Sequence, residues 1–373
     1  MRVTQALIYK DNLKHNFNLI KNQLKANTLI CAVVKGNAYG HGIEVVAPLL
    51  DQLGANCFAI ACLNGATRLR NLAITKPIYL LRPCLPHEIA EAIKLELSPF
   101  ISSFHEATLW QQQAKEASKL IKVHLKVNTS MTRLGCDSSD FIPLANFINE
   151  QSHLKLEGVA THFANADSEI NPSLEEDIRQ FTALVSQLKR PDLLIHCAGS
   201  ATIQRLPAGQ LFNMVRPGLA LYGYPPSDYS QQHSLLADKL KPVMELRSHV
   251  IFIRKLQKDS PVSYGSQYLA KAGNYIATIP LGYADGYNIS FSNLKNAVLI
   301  KGRRYNIAGR VCMDQLMVDL GPNPDNIGLY DEVTFFGPNP PALTATELTG
   351  SCRQGSAYTL LSAIAERVER RLI

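Results

Sequence analysis

An α/β protein is predicted, a (β/α)8 barrel of the TIM type followed by a mostly β C-terminal domain, and three observations predict it. Eight short apolar runs between residues 29 and 215 alternate with segments of helical period. Polar residues with chemical potential fall just beyond the C-terminal ends of several runs, where barrels of this kind place their active sites. From about residue 236 the alternation gives way to strand-like runs at short spacing, separated by Gly, Asn, Asp and Pro.

The runs are 29–34, 57–62, 77–81, 98–102, 123–127, 156–160, 193–197 and 211–215. Between them lie amphipathic pieces such as HGIEVVAPLLDQLG, FHEATLWQQQAKEASKL and NPSLEEDIRQFTALVSQLK, which start near Asn, Ser, His or Pro. The first run ends on Lys35 and a glycine-rich loop, KGNAYGHG, before helical period resumes at Ile43. A lysine so placed is able to lose its proton and act as an amine nucleophile, although a lone lysine can equally lay its stem on apolar surface and keep its ammonium in water. Asn128 and Arg133 follow run five, His162 closes run six, Ser200 follows run seven and Arg216 closes run eight. The loop Arg216-Pro217-Gly218 stands where such barrels commonly bind phosphate.

Residues 224–234, with a proline pair and many polar side chains, read as a linker. HVIFIRKL, NYIATIPLGY, AVLIKG, YNIAGRVC, LMVDLG and DEVTFFG then read as strands, and a terminal helix is expected near 356–371, carrying RVERRL.

Composition narrows the function classes. The charge of +7 comes from 38 basic and 31 acidic residues dispersed along the chain, which argues for a mild attraction for anionic ligands and against a nucleic-acid groove. No apolar run approaches a membrane span and the start of the chain lacks a secretory core, so a cytoplasmic protein is expected. Eight cysteines without a Cys-x-x-Cys pair read as buried thiols, and no metal-ligand cluster is expected.

Seven motifs then occur in order: KGNAYGHG at 35–42, KVNTSMTRLG at 126–135, THFANAD at 161–167, VRPGLALYG at 215–223, VSYG at 262–265, PLGYADGY at 280–287 and GRVCMDQ at 309–315. Together they resemble the alanine racemases, over essentially the whole chain. The resemblance implies a barrel that binds pyridoxal 5'-phosphate, a homodimer whose sites borrow residues from the partner's β-domain, and alanine as substrate, with D-alanine passing to peptidoglycan synthesis. It also implies that residues 1–10 join the β-domain, leaving 11–235 as the barrel and 236–373 as the C-terminal domain.

Site roles follow from the same resemblance. Lys35 matches the lysine that carries the cofactor and serves as one catalytic base, and Tyr264 matches the second base. A phenol needs a cationic or hydrogen-bonding neighbour to work at neutral pH, and His162, in contact with Arg216, matches that neighbour. Arg216 matches the arginine at the cofactor's ring nitrogen, where a guanidinium cannot accept a proton. Tyr39, Ser200, Gly218, Leu219 and Tyr358 match phosphate contacts. Arg133 and the backbone of Met313 match substrate-carboxylate contacts, while Lys126 matches a lysine that is carbamylated in some members. Asp167, Tyr283, Arg310, Cys312 and Asp314 match supporting or entry positions.

The chain departs from the family pattern at Gly36, where alanine is usual, at Asn128 and Ser130, where aspartate and glycine are more common, and at Gly199, where asparagine is typical. Barrel-fold pyridoxal-phosphate decarboxylases share both domains, but their Gly-rich phosphate motif and C-terminal cysteine motif are missing here. Barrel-only proteins that bind the same cofactor lack the domain that carries Tyr264.

Overall fold

The structure, a computed structural model, describes residues 3–168, 174–227, 234–350 and 356–373. Part of the expected linker, the start of the helix expected from Asn171, and Cys352 therefore lie outside the described residues. The first strand, β1 (Gln5–Ile8), precedes the barrel strands β2 (Leu29–Val33), β3 (Cys57–Ile60), β4 (Ile78–Leu80), β5 (Leu97–Ile101), β6 (Ile121–Lys126), β7 (Leu154–Ala160), β8 (Leu194–His196) and β9 (Met214–Val215). Each of the eight expected runs holds one of β2 to β9, with ends shifted by a few residues.

These strands pair in parallel in the order β8-β7-β6-β5-β4-β3-β2-β9. Their residues are buried on both faces, as in the all-buried CFAI of β3, because helices cover the outside and side chains fill the inside. The seam between β8 and β9 is closed by Asn213. Its amide oxygen accepts from Ile195 N at 2.6 Å and its amide nitrogen donates to Leu193 O at 2.9 Å.

Strands β10 (Met244–His249), β11 (Phe252–Lys255), β12 (Ser260–Val262), β13 (Tyr268–Ala270), β14 (Tyr275–Ile279), β15 (Val298–Ile300), β16 (Arg303–Ile307), β17 (Leu316–Asp319), β18 (Glu332–Phe336) and β19 (Glu369–Leu372) build the C-terminal domain. Its main sheet has nine strands in the order β11-β14-β17-β16-β15-β18-β10-β1-β19, and β12 pairs only with β13. The N-terminal β1 is inserted between β10, antiparallel, and β19, parallel. The barrel and this sheet share one continuous apolar core, to which Phe17, Phe58, Tyr222, Leu246, Phe335 and Leu361 all belong.

One expectation is corrected. The terminal helix covers only Ala357–Ala363, and Glu369–Leu372 is a strand. The chain leaves the helix at Ile364, which is extended at ψ 111°, and the backbone of 369–372 then pairs with β1.

Candidate active site

Lys35 follows β2 by two residues and starts a turn, Lys35–Tyr39, of unusual hand. Gly36, Asn37 and Ala38 have φ of 59°, 54° and 54° with ψ of 45°, 49° and 50°, which is left-handed helix. That hand costs roughly 1–2 kcal/mol per L-residue, so the surroundings must hold it. His41 Nδ1 donates to Tyr39 O at 2.9 Å and to Ala38 O at 3.1 Å, and two carbonyl acceptors require the proton on that nitrogen. Asn37 Oδ1 accepts from Ile43 N at 2.9 Å and from Arg68 Nη2 at 2.8 Å. From the C-terminal domain, Arg370 Nε donates to Gly40 O at 2.9 Å. Gly40 also lies so close to the helix Ala357–Ala363 that a Cβ there would sit 1.8 Å from Leu361 O.

The turn opens into a cavity of about 350 Å³ at the C-terminal mouth of the barrel. Lys35, Arg82, Lys126, Arg133 and Arg216 bring cationic groups to its wall, and no carboxylate among the described residues lines it. Arg82 is engaged by Glu88 at 2.6 Å. Lys35 reaches the open side of the cavity, and its pKa is lowered first by the protein packed around its stem and then by Arg133 and Arg216. Lys126 is held further below the ordinary lysine value, by burial and then by Arg216 and Arg133.

Arg216 is buried and its donors meet acceptors only. Nη1 donates to His196 Nδ1 at 2.6 Å and His196 O at 2.9 Å, while Nη2 donates to Thr161 O at 2.7 Å and Cys197 O at 3.3 Å. His162 Nδ1 stands 3.5 Å from the same Nη2, and burial followed by the charge of Arg216 keeps its pKa well below the usual imidazole range. His162 is therefore neutral at pH 7. Gly199 gives this ring its place, because a Cβ there would press on His162 Cε1 at 3.0 Å.

At one end of the cavity Ser200 Oγ accepts from the amides of Gly218 at 2.9 Å and Ala220 at 3.1 Å. The rings of Tyr39 and Tyr358 lie 6.0 Å apart, tilted at 43°, and Leu219, next to Gly218 in the chain, is buried. A Cβ on Gly218 would lie 2.4 Å from Tyr39 Oη, so only glycine fits. At the other end Arg133 stands on a loop that Asn128 and Ser130 tie down. Asn128 Oδ1 accepts from Thr132 N at 2.9 Å, and Ser130 Oγ donates to Asp177 while accepting from Ala164 N at 3.3 Å. The two departures from the family pattern thus have local work in this chain.

The remaining expected residues do not line this cavity. Tyr264, Tyr283, Arg310, Cys312 and Met313 gather instead on one surface of the C-terminal domain. Tyr283 N donates to Cys312 O at 3.0 Å, Ala284 N to Met313 O at 3.0 Å, and Ser263 Oγ to Arg310 O at 2.6 Å. Tyr264 is 69% exposed and Met313 54%, and Ser263, just before the tyrosine, holds a strained φ of 65°. Asp314 pairs with Arg367 at 2.7 Å behind them. Asp167, in the loop after β7, accepts at its backbone oxygen from Ser227 Oγ at 2.6 Å.

Sequence reasoning missed four residues that build the site from behind: His41 under the Lys35 turn, and His196, His124 and Glu157 beneath Arg216. The parity that brings Lys126 to the mouth on β6 also sends His124 into the barrel, which is a signal the sequence did carry.

Two family models match, "Alanine racemase, N-terminal domain" over residues 8–226 and "Alanine racemase, C-terminal domain" over residues 243–372. The chain is 38% identical to the alanine racemase of Treponema denticola, over 100% of this chain and 99% of that protein. It is 36% identical to that of Citrifermentans bemidjiense, over 96% of each. Among solved structures, alanine racemase of Clostridium difficile superposes with a TM-score of 0.92 at 32% identity, covering 100% of this chain and 96% of that one. The Bacillus anthracis alanine racemase with bound L-Ala-P gives 0.91 at 31% identity, covering 100% and 95%.

Proposed function

The chain belongs to the alanine racemase family, and on that premise we propose that it interconverts L- and D-alanine by a two-base mechanism, with pyridoxal 5'-phosphate in the barrel mouth and a second copy of the chain supplying Tyr264. The observation that carries the reading is one cavity that joins Lys35, Arg133 and Arg216, with no carboxylate among the described residues of its wall.

The cavity suits that cofactor on its own chemistry. A carboxylate-free, cationic wall favours a phosphate and a substrate carboxylate together. Ser200 Oγ, accepting from the amides of Gly218 and Ala220, has its own hydroxyl proton to donate to a phosphate beside Gly218, where no Cβ intrudes. Lys35 would carry the cofactor covalently; Tyr39, Ser200, Gly218, Leu219 and Tyr358 would hold its phosphate; Arg216 and His162 would meet its ring. When bound, pyridoxal phosphate supplies the electron sink that makes an amino acid's Cα–H bond acidic enough to break.

The chain's own groups do the rest. Lys35 Nζ, whose pKa is lowered by burial and then by Arg133 and Arg216, gives up its proton more readily than an ordinary lysine and can move one on one side of the substrate. Inversion requires a proton at the opposite side, which one lysine cannot reach, and Tyr264 Oη of the second copy takes that role. Arg216 has no acceptor atom and keeps its guanidinium occupied by three carbonyls and His196, so it meets a ring nitrogen as a donor only. Arg133 offers a planar fork to the carboxylate, with the Met313 backbone of the second copy beside it. The pKa of Lys126, held well below the ordinary lysine value by burial, favours the neutral amine that carbamylation needs, and a carbamate there would orient Arg133.

Asp167, Tyr283, Arg310, Cys312 and Asp314 shape the entry in this reading. The division into residues 1–10, 11–235 and 236–373, a cytoplasmic location and supply of D-alanine for peptidoglycan belong to it as well. Among the described residues no helix is long and apolar enough to cross a membrane.

The test is chiral analysis of product from purified protein loaded with pyridoxal phosphate and given L-alanine in deuterated water. D-alanine carrying deuterium at Cα is expected. Absence of D-alanine from protein whose Lys35 is fully loaded contradicts the proposal.

A further inference from the structure

Arg216 sits deep in the barrel mouth with no carboxylate among the described residues in contact, yet an uncompensated buried charge is costly. Its counter-charge lies at the end of a chain of rings. Arg216 Nη1 donates to His196 Nδ1 at 2.6 Å, and a guanidinium has no acceptor, so that nitrogen must hold a lone pair. A neutral His196 then carries its proton on Nε2, which is 2.7 Å from His124 Nδ1. By the same logic His124 carries its proton on Nε2, which faces Glu157 Oε2 at 3.4 Å. Glu157 Oε1 accepts from Lys122 Nζ at 2.7 Å at the opposite end of the barrel. Every proton in this series points toward the one carboxylate.

Two features of the backbone serve this arrangement and nothing else in the proposed reaction. Strand β7 carries a bulge: Val123 pairs with Leu156 and His124 with Gly158, leaving Glu157 as the extra residue. A bulge re-aims a side chain, and here it turns the carboxylate toward His124. Gly158 follows, and a Cβ there would lie 2.5 Å from His124 Nδ1, so the ring fits only against glycine. Both imidazoles are fully buried, against Tyr79 and Phe100.

We propose that Glu157 is a positioning residue for Arg216, its remote counter-charge, acting through His196 and His124, which it fixes as neutral rings protonated on Nε2. The inference rests on the proposed function only in giving Arg216 its place at the cofactor. The lowered pKa of both rings, from burial first, agrees with their neutrality.

The test reads the rings directly. NMR of the full-length protein with labelled histidine nitrogens, without and with pyridoxal phosphate, should find His124 and His196 neutral and protonated on Nε2 near pH 7. A proton on Nδ1 of either ring, or an imidazolium, overturns the proposal. Glu157→Gln keeps an acceptor for His124 but removes the charge, and should lower kcat about tenfold with KM within about twofold. Glu157→Leu removes both and should in addition leave His124 as a mixture of tautomers. An unchanged kcat in folded Glu157→Gln overturns the positioning role. The tautomers are read on protein without cofactor, so this inference and the racemase reading fail separately.

Discussion

At the scale of single residues the proposed mechanism rests on Arg216, Lys35 and Tyr264, and single substitutions test it. The planar fork of Arg216 is committed to carbonyls on two sides and His196 on a third, a pattern that one ammonium cannot reproduce. Arg216→Lys should therefore lose about tenfold or more in kcat by steady-state assay, and a rate equal to wild type would show that the fork is dispensable. Tyr264→Phe should impair conversion of L-alanine more directly than proton exchange from D-alanine, read as deuterium incorporation from each enantiomer; equal losses contradict the assignment of faces. Gly36 occupies a left-handed φ of 59° with open space around its Cβ position, so Gly36→Ala should fold but lose about 1 kcal/mol in denaturant titration. Lys35, Arg133, His162 and Arg216 were legible in the sequence because strand ends and motif order point at them. Glu157 was not, because a glutamate within an apolar run reads as one solvent-facing position and a bulge has no local signature.

The element that decides the site is the left-handed turn Lys35–Tyr39. The sequence reads as a tight glycine-rich loop there, and glycines at 36, 40 and 42 do carry positive φ, but Asn37, Ala38 and Tyr39 adopt it too. Contacts from elsewhere hold them: His41 beneath, Arg68 from the barrel wall, Arg370 from the far end of the chain. None of these is local enough to read from KGNAYGHG. His41→Ala removes the donor to Tyr39 O and Ala38 O, and should cost about 1–3 kcal/mol in unfolding free energy by urea titration. Unchanged stability would mean that the turn does not need the ring. The corrected terminal strand teaches the same lesson, since RVERRL suits either period and its β partner lies at the other end of the chain.

At the scale of the whole molecule, three buried histidines and the half-buried His162 make stability depend on pH. His41 is pushed down to about 4, and His124, His162 and His196 are lowered as well, with burial the leading cause in each. Below the ordinary imidazole pKa near ~6.5 the unfolded chain binds protons that the fold refuses, so stability is complete above that value and is lost as pH falls toward each folded pKa. The urea midpoint should therefore drop between about pH 7.5 and about pH 5. A midpoint that is flat or higher in acid contradicts the neutral state of these rings. The barrel was legible because parallel strands buried on both faces read as unbroken apolar runs. The placing of Lys35 and Tyr264 on different domains was legible too, in the change of pattern near residue 236; what only folding shows is that Tyr264 is 69% exposed and off the cavity that Lys35 lines.

That separation is the central claim: one chain holds the cofactor lysine, another supplies the opposing base. Subunit complementation tests it most directly. Lys35→Ala and Tyr264→Phe chains, each inactive in conversion of L-alanine, are mixed, dissociated and reassembled. Random pairing should restore about a quarter of the wild-type rate, because half the dimers are mixed and each mixed dimer rebuilds one complete site. A mixture no more active than the two variants alone, with mixed dimers verified, would place both bases on the same chain and contradict the account.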